Sequence, residues 1–196
     1  MAENRLETLL AIVARYDLNE HPFYQEWRAG TLPVEKLTAY AREYGAFVGT
    51  IGLGWEAVGR DVYVQEEAGH VRLWADFATK LDAKVGGSRP QTAALVSVAE
   101  NLFAQRPEAV GALFAFEAQQ PSTAASKLAG LEEHYDLSGA ACEYFRVHAR
   151  QHSEYDELVE MAEAMTPDDF ARAKSACALM AAAMWSGLDG VYYAAA

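Results

Sequence analysis

Residues 141–159 read Ala141-Cys142-Glu143-Tyr144-Phe145-Arg146-Val147-His148-Ala149-Arg150-Gln151-His152-Ser153-Glu154-Tyr155-Asp156-Glu157-Leu158-Val159, and this stretch decides the fold class. Ala141, Phe145, His148, His152, Tyr155 and Val159 follow one another at alternating steps of four and three. That is the spacing of a helical face turned toward a core. Glu143, Arg146, Arg150, Glu154 and Glu157 lie on the opposite face, which reads as solvated. Two histidines and a tyrosine therefore occupy consecutive inward positions.

Outward from this segment the same period runs through nearly the whole chain, and alternation of the strand type is scarce. Proline marks the joints, at Pro22, Pro33, Pro90, Pro107, Pro121 and Pro167. The sharpest helix start is Thr166-Pro167-Asp168-Asp169, an N-cap followed by proline and two acids at the positive helix end. Helices are expected near 4–16, 21–29, 33–59, 61–84, 90–105, 107–134, 138–164 and 167–194. Eight helical segments with short joints and no internal repeat predict a single domain over 1–196, an antiparallel all-α bundle.

Composition agrees with a folded domain. Of 196 residues 52% are hydrophobic, enough for a full core in one domain. A net charge of −12 repels phosphate backbones, so no nucleic-acid partner is expected. Two cysteines, Cys142 and Cys177, build no disulfide framework and suit a reducing cytoplasm. The opening MAENRLETLL lacks the pattern of a signal peptide, and no apolar run reaches membrane-spanning length, so a cytoplasmic protein without a membrane partner is expected.

Ionisable residues on faces that should be buried carry the functional signal. Val110, Leu113, Phe114 and Glu117 form an apolar stripe ending in a carboxylate, and Pro121 predicts a bend just past it. Glu66 and His70 stand four apart and continue into Leu73 and Phe77, whereas Glu67 leads to Val71, Trp74 and Leu81, so either acid could point inward. A lone charge in a helical core is costly and is retained when paired or bound to metal. A single core histidine is commonly a structural hydrogen-bonder. Carboxylate and imidazole from three helices together suit iron or manganese.

These residues resemble a known family. Leu18-Asn19-Glu20-His21-Pro22-Phe23-Tyr24-Gln25-Glu26-Trp27, with Gly30-Thr31-Leu32 and Leu37-Thr38-Ala39-Tyr40-Ala41, is similar to the opening of heme-oxygenase-fold proteins of the TenA and PqqC type. Glu66-Glu67, His70-Val71-Arg72-Leu73-Trp74, Ala112 to Pro121, Lys127 and Tyr144-Phe145-Arg146-Val147-His148 resemble the CADD group, named after the chlamydial protein associating with death domains. The resemblance spans roughly residues 5–160 and is most specific from Glu117 to His148. It implies a heme-oxygenase-like bundle of seven to eight helices, a homodimer, and a di-metal oxidase using O2 and an external reductant. It also implies para-aminobenzoate formation for folate synthesis, with a tyrosine of the protein itself as ring source and a lysine as amine donor.

Carried over by motif, the resemblance assigns Glu66 (less favoured, Glu67), His70, Glu117 and His148 to a di-iron or iron–manganese site, and His152 is expected to join them as a further neutral imidazole donor. Tyr24 matches the consumed tyrosine, Lys127 the amine donor, and Tyr144 a further tyrosine beside the site. Departures are specific. The family pattern from His148 onward is His, three residues, Asp, two residues, His, and here the last two positions hold His152 and Tyr155. The family also places about three more residues between its first glutamate and the next histidine, and Phe116 stands where it has a second tyrosine. Losing the aspartate removes a negative charge, and a phenol is a poor ligand unless its pKa falls. The site thus accommodates two metals with an altered shell, one, or none.

Activating O2 needs a redox metal with an open position, mobile carboxylates and a dry pocket. A lysine in an apolar cavity near a cation has its pKa lowered, which frees a nucleophilic amine. Three competing readings use the same scaffold. One is a di-iron oxidase of a small amine, amino acid or fatty acid. Another is a metal-free, TenA-like hydrolase with Cys142 as nucleophile. The third is a non-enzymatic interaction module, for which no large exposed apolar surface is legible.

Overall fold

The computed structural model describes residues 4–150 and 153–194. These form helices α1 (Arg5–Val13), α2 (Pro22–Arg28), α3 (Val34–Val48), α4 (Ile51–Val58), α5 (Asp61–Lys80), α6 (Pro90–Leu102), α7 (Arg106–Glu117), α8 (Gln120–His134), α9 (Glu143–His148), α10 (Ser153–Glu163) and α11 (Pro167–Tyr192). Single 3-10 turns occupy Ala14–Tyr16, Leu18–Glu20 and Gly139–Cys142, and the described residues contain no strand. The all-α bundle is as expected.

The core is organised around α7, in which every residue from Ala109 to Glu117 is buried. It packs along α11, with α4 and α10 beside it. The close crossing of α7 and α11 depends on Gly111, because a Cβ there would stand 1.9 Å from the Ala173 carbonyl oxygen. Leu113 and Phe114, fully buried on α7, each contribute about 1.5–3 kcal/mol by leaving water. The start of α11 follows its local chemistry. Thr166 Oγ1 accepts from the Asp169 amide at 3.1 Å, Pro167 opens the first turn, and Asp168 and Asp169 face the helix dipole.

Three of the expected helices are divided. The 33–59 segment breaks between α3 and α4 at Gly49 and Thr50, where Thr50 Oγ1 donates to the Phe47 carbonyl at 2.7 Å. The 107–134 segment breaks just past Glu117, where the bend was expected, and Pro121 lies in the first turn of α8. The third division bears on function. Residues 138–164 form a 3-10 turn, then α9, which ends at His148, then α10, which begins at Ser153. The interruption resets the helical register. Glu154, Leu158 and Met161 face inward on α10, whereas Tyr155 is half-buried against Phe114, with ring centroids 5.5 Å apart. Glu154, expected on the solvated face, is thus an interior residue. Arg5 holds the far end of α10 in place by donating to the carbonyls of Ala162, Glu163 and Met165.

Candidate functional site

Two polar clusters interrupt the core. The first is set by the turn into α2. His21 Nδ1 accepts from the Phe23 amide at 3.1 Å, Pro22 opens the helix, and Tyr24 is thereby directed inward. The Tyr24 and Tyr40 hydroxyls are 2.8 Å apart. From α8, Lys127 reaches Tyr24, its Nζ donating to the phenol oxygen at 3.4 Å and standing 4.8 Å from the ring centroid. The Phe145 and Tyr40 rings also flank the amine, at 5.6 and 6.0 Å. Lys127 is only 3% exposed, and no carboxylate pairs with it among the described residues. Burial alone pulls its pKa down to about 7, so a large share of the amine is neutral at physiological pH. Burial also pushes the Tyr24 phenol up, against the opposing hydrogen bond from Tyr40, and keeps it protonated.

The second cluster gathers acids and imidazoles from α5, α7, α9 and α10. Glu67 Oε1 stands 3.1 Å from His70 Nδ1, and the His70 and His148 rings are 4.3 Å apart. His148 Nδ1 lies 2.7 Å from the Tyr144 carbonyl, so it donates there. That leaves Nε2 with the lone pair, the tautomer of an imidazole whose carbonyl contact holds it ready to bind a metal. Burial lowers His148 to about 3, helped by the charges of His70 and Lys127, so the ring is neutral. Burial lowers His70 too, but the Glu67 hydrogen bond and the charges of Glu67, Glu154 and Glu66 outweigh it and raise the group. Glu117 is raised well above the carboxylate range by burial and then by the charges of Glu67 and Glu154. The Trp55 indole partly offsets this, yet no hydrogen bond forms, and Trp55 Nε1 and Glu117 Oε1 are both buried without a partner. Glu154 is raised by burial and by the charges of Glu66 and Glu67, although Ser153 Oγ donates to its Oε2 at 2.8 Å.

Tyr144 links the clusters. Its ring lies 4.1 Å from that of His148, and Gln120 Nε2 donates to its hydroxyl at 3.2 Å. Trp74 fills the space toward Tyr40, 4.8 Å from Tyr144 and 5.5 Å from Tyr40. A surface cleft of about 640 Å³, lined by Glu66, His70, Arg72, Leu73, Asp76 and Val147, opens beside His70.

Tyr24, Lys127, Tyr144, His70, Glu117 and His148 are therefore all interior, as the sequence suggests. Glu66 is not: its side chain is exposed on the cleft, and the inward member of the acid pair is Glu67, one position round the helix. His152 lies outside the described residues. Among the described residues no three acid, imidazole or thiol side chains stand close enough to hold one metal ion together. The donor chemistry nevertheless fits a cation: three buried acids raise one another or their histidine neighbour, an orphaned carboxylate oxygen lies among them, and the adjacent imidazole is neutral. Sequence reasoning passed over Tyr40 and Glu154. Tyr40 could have been found on the stripe Leu37-Tyr40-Tyr44-Phe47, but nothing in the sequence signals the α10 register. Cys142 is buried, its Sγ donates to the Leu137 carbonyl at 3.2 Å, and burial pushes its thiol up.

Comparison with known proteins agrees with this architecture. Residues 55–186 match the family of iron-containing redox enzymes. A 4-aminobenzoate synthase of Nitrosomonas europaea is 29% identical over 93% of this chain and 88% of its own length. A 4-aminobenzoate synthase of Chlamydia muridarum is 30% identical over 81% of this chain and 78% of its own. The crystal structure of a TenA homolog from Pseudomonas syringae superposes with a TM-score of 0.80 at 14% identity, over 96% of this chain and 92% of that one, which shows the shared fold. The chain belongs to the CADD-like family of heme-oxygenase-like proteins, within the iron-containing redox enzymes.

Proposed function

We propose that this protein is an O2-dependent enzyme that forms 4-aminobenzoate from its own Tyr24, with Lys127 as the source of nitrogen. The observation that carries this reading is the contact of the Lys127 amine with the Tyr24 phenol oxygen, 3.4 Å in a dry aromatic enclosure. The product bears nitrogen para to a carboxylate, and tyrosine bears oxygen para to its Cβ. The new C–N bond must therefore form at the carbon carrying the phenol oxygen, and that oxygen stands 3.4 Å from Lys127 Nζ.

Each residue has a definable task. Burial holds a neutral amine fraction at Lys127, so a lone pair is available without an external base. The Tyr40 hydroxyl fixes the direction of the Tyr24 phenol at 2.8 Å. The surrounding Trp27, Phe145 and Tyr40 exclude water that would compete with the amine. Conversion joins Lys127 Nζ to the ring carbon in place of the phenol oxygen, which leaves as water, and breaks the Cε–Nζ bond with Cε left as an aldehyde. It also breaks the Cα–Cβ bond of Tyr24, leaving a hydrogen on Cα, and oxidises Cβ to a carboxylate whose oxygens come from O2 or water, while the electrons removed pass to O2. Iron, alone or with manganese, would be held on this side of the site by Nε2 of His148 and the Glu117 carboxylate, beside the Glu67–His70 pair, and would supply the O2 activation that such an oxidation requires. The cleft beside His70 gives O2 and an external reductant a route to this side of the site.

Protein loaded with ferrous iron and exposed to reductant and O2 should release 4-aminobenzoate. Tyr24→Phe and Lys127→Met should each lower release by more than about 100-fold, equivalent to roughly 2.7 kcal/mol or more of lost transition-state stabilisation. Undiminished release from Tyr24→Phe would contradict self-sacrifice and favour a small-molecule oxidase on the same centre.

A second reading, a metal-free hydrolase of the TenA type, draws support from the shared fold and from the lack of a metal-holding group among the described residues. Its nucleophile would be Cys142, whose raised thiol pKa and bond to the Leu137 carbonyl leave little thiolate at neutral pH. Undiminished activity in Cys142→Ala separates that reading from the first.

A further inference from the structure

We propose that Gln119 is a positioning residue, which locks the segment carrying Tyr24 against α8 in the register that sets Lys127 beside the Tyr24 phenol. The contacts between the two stretches form a ladder. The Leu18 amide donates to Gln119 Oε1 at 2.9 Å, Asn19 Nδ2 donates to Ser122 Oγ at 3.1 Å, and Lys127 Nζ donates to the Tyr24 hydroxyl at 3.4 Å. Beyond them Trp27 lies on Gly130, and the Tyr135 hydroxyl donates to the Leu32 carbonyl at 3.0 Å. The partners rise together along both stretches, 101 residues apart in the first pair and 103 in each hydrogen-bonded pair after it. Residues 18–32 therefore run parallel to 119–135, and the lysine–tyrosine contact is one rung among several.

Gln119 fixes the ladder at its entrance. It sits at the joint between α7 and α8, 5% exposed, where its Nε2 also donates to the Ala115 carbonyl at 3.1 Å. One end of the side chain must accept and the other must donate, which a carboxamide does in a single orientation. Helix α2 has only seven residues, about two turns, so its placement depends on anchors outside it. A slip of one residue turns a helical side chain by about 100°, enough to carry Tyr24 away from the amine. At the other end a Cβ on Gly130 would stand 2.8 Å from Trp27 Cδ1 and 3.0 Å from the Trp27 carbonyl oxygen, so the two stretches must approach closely there. The catalytic weight of this register rests on the reading of Tyr24 and Lys127 given above, whereas the register itself belongs to the fold.

NMR titration of the purified full-length chain, grown with ε-carbon-labelled lysine and kept free of O2, reads the contact without turnover; the Lys127 signal is the one missing from Lys127→Met. In the parent it should titrate at about 7, because the amine is dry. Gln119→Met keeps the length of the side chain and removes both bonds. Water should then reach the amine, raising the Lys127 midpoint by at least about one pH unit, and 4-aminobenzoate release from the iron-loaded protein should fall by at least about tenfold. Gly130→Ala should do the same from the other end, and it carries the test should Gln119→Met not fold. Thr50→Val removes a buried hydrogen bond at the α3–α4 joint, away from the ladder, and should leave midpoint and release at parent values. A folded Gln119→Met with the parent midpoint, or a loss of release matched by Thr50→Val, would overturn the assignment. A raised midpoint in Gln119→Met, with no 4-aminobenzoate from the parent, would sustain the register and overturn the proposed function instead.

Discussion

The two polar clusters solve opposite problems with the same tool, burial. Around Tyr24 and Lys127 the neighbours are aromatic and uncharged, so burial drives an amine toward its neutral form and holds a phenol in its neutral form. Around Glu117 and Glu154 the neighbours are acids, so burial and like charge act together and both carboxyls are held above their ordinary range. The first cluster is complete as it stands: its donors and acceptors meet one another at 2.8 and 3.4 Å. The second has a buried carboxylate oxygen with no partner, and its acids hinder one another's ionisation. What differs is the need for something from outside. A neutral amine needs no counter-ion, whereas a knot of carboxylates asks for a cation.

Removing the buried amine should show the contrast most strongly. Lys127 titrates near 7 in the fold and near its ordinary 10.5 when unfolded. Between those values unfolding takes up a proton, so this group makes the protein more stable as pH rises from about 7 toward 10, and its full cost is present below 7. Lys127→Met should therefore stabilise the fold by on the order of 3–5 kcal/mol near pH 6, given about 1.36 kcal/mol per pKa unit, and should flatten that slope. Urea unfolding at about pH 6 and pH 9 measures both; equal stability of parent and variant would place an undetected counter-ion beside the amine.

The acid cluster should respond to a cation in the other direction. Mn2+ or Fe2+ at about 100 times its dissociation constant adds about 2.7 kcal/mol, or roughly 5–10 °C in Tm for a chain of this length. Glu117→Gln should lose most of that gain while being no less stable than the parent without metal, because it removes a carboxyl that burial and Glu67 disfavour in its charged form. A thermal melt with and without Mn2+ reads it. Smaller effects sharpen the boundary between the clusters. Tyr40→Phe removes one hydrogen bond to Tyr24, costs about 1 kcal/mol in urea unfolding, and should slow product release several-fold without altering metal uptake. Glu66→Gln, on the exposed cleft, should change stability by less than about 0.5 kcal/mol and Mn2+ affinity by less than about threefold.

The two clusters were not equally legible. The lysine–tyrosine pair lies on uninterrupted helices, α2 and α8, and the His-Pro-Phe-Tyr turn and Lys127 stand at matching positions of a family motif, so residue number sufficed. The acid cluster depends on where helices break. A seam drawn at steps of four and three through 141–159 places Tyr155 inside and Glu154 outside only while the helix continues. The restart at Ser153 reverses them, and nothing in the composition of that joint announces a change of register. The acid pair Glu66-Glu67 shows a milder form of the same limit. Adjacent residues differ by about 100° on a helix, and both led into apolar stripes, so packing against α4 had to choose Glu67. The bend past Glu117 and the cap at Thr166 were legible because proline and threonine act locally.

Isotope tracing tests the central claim most directly. Protein grown with ring-labelled tyrosine and nitrogen-labelled lysine is purified, loaded with ferrous iron, and exposed to reductant and O2 in unlabelled buffer. The account predicts 4-aminobenzoate carrying both labels, in an amount no greater than the protein present, with peptide mapping placing the losses at Tyr24 and Lys127. Unlabelled product, or labelled product with Tyr24 and Lys127 intact, would contradict it.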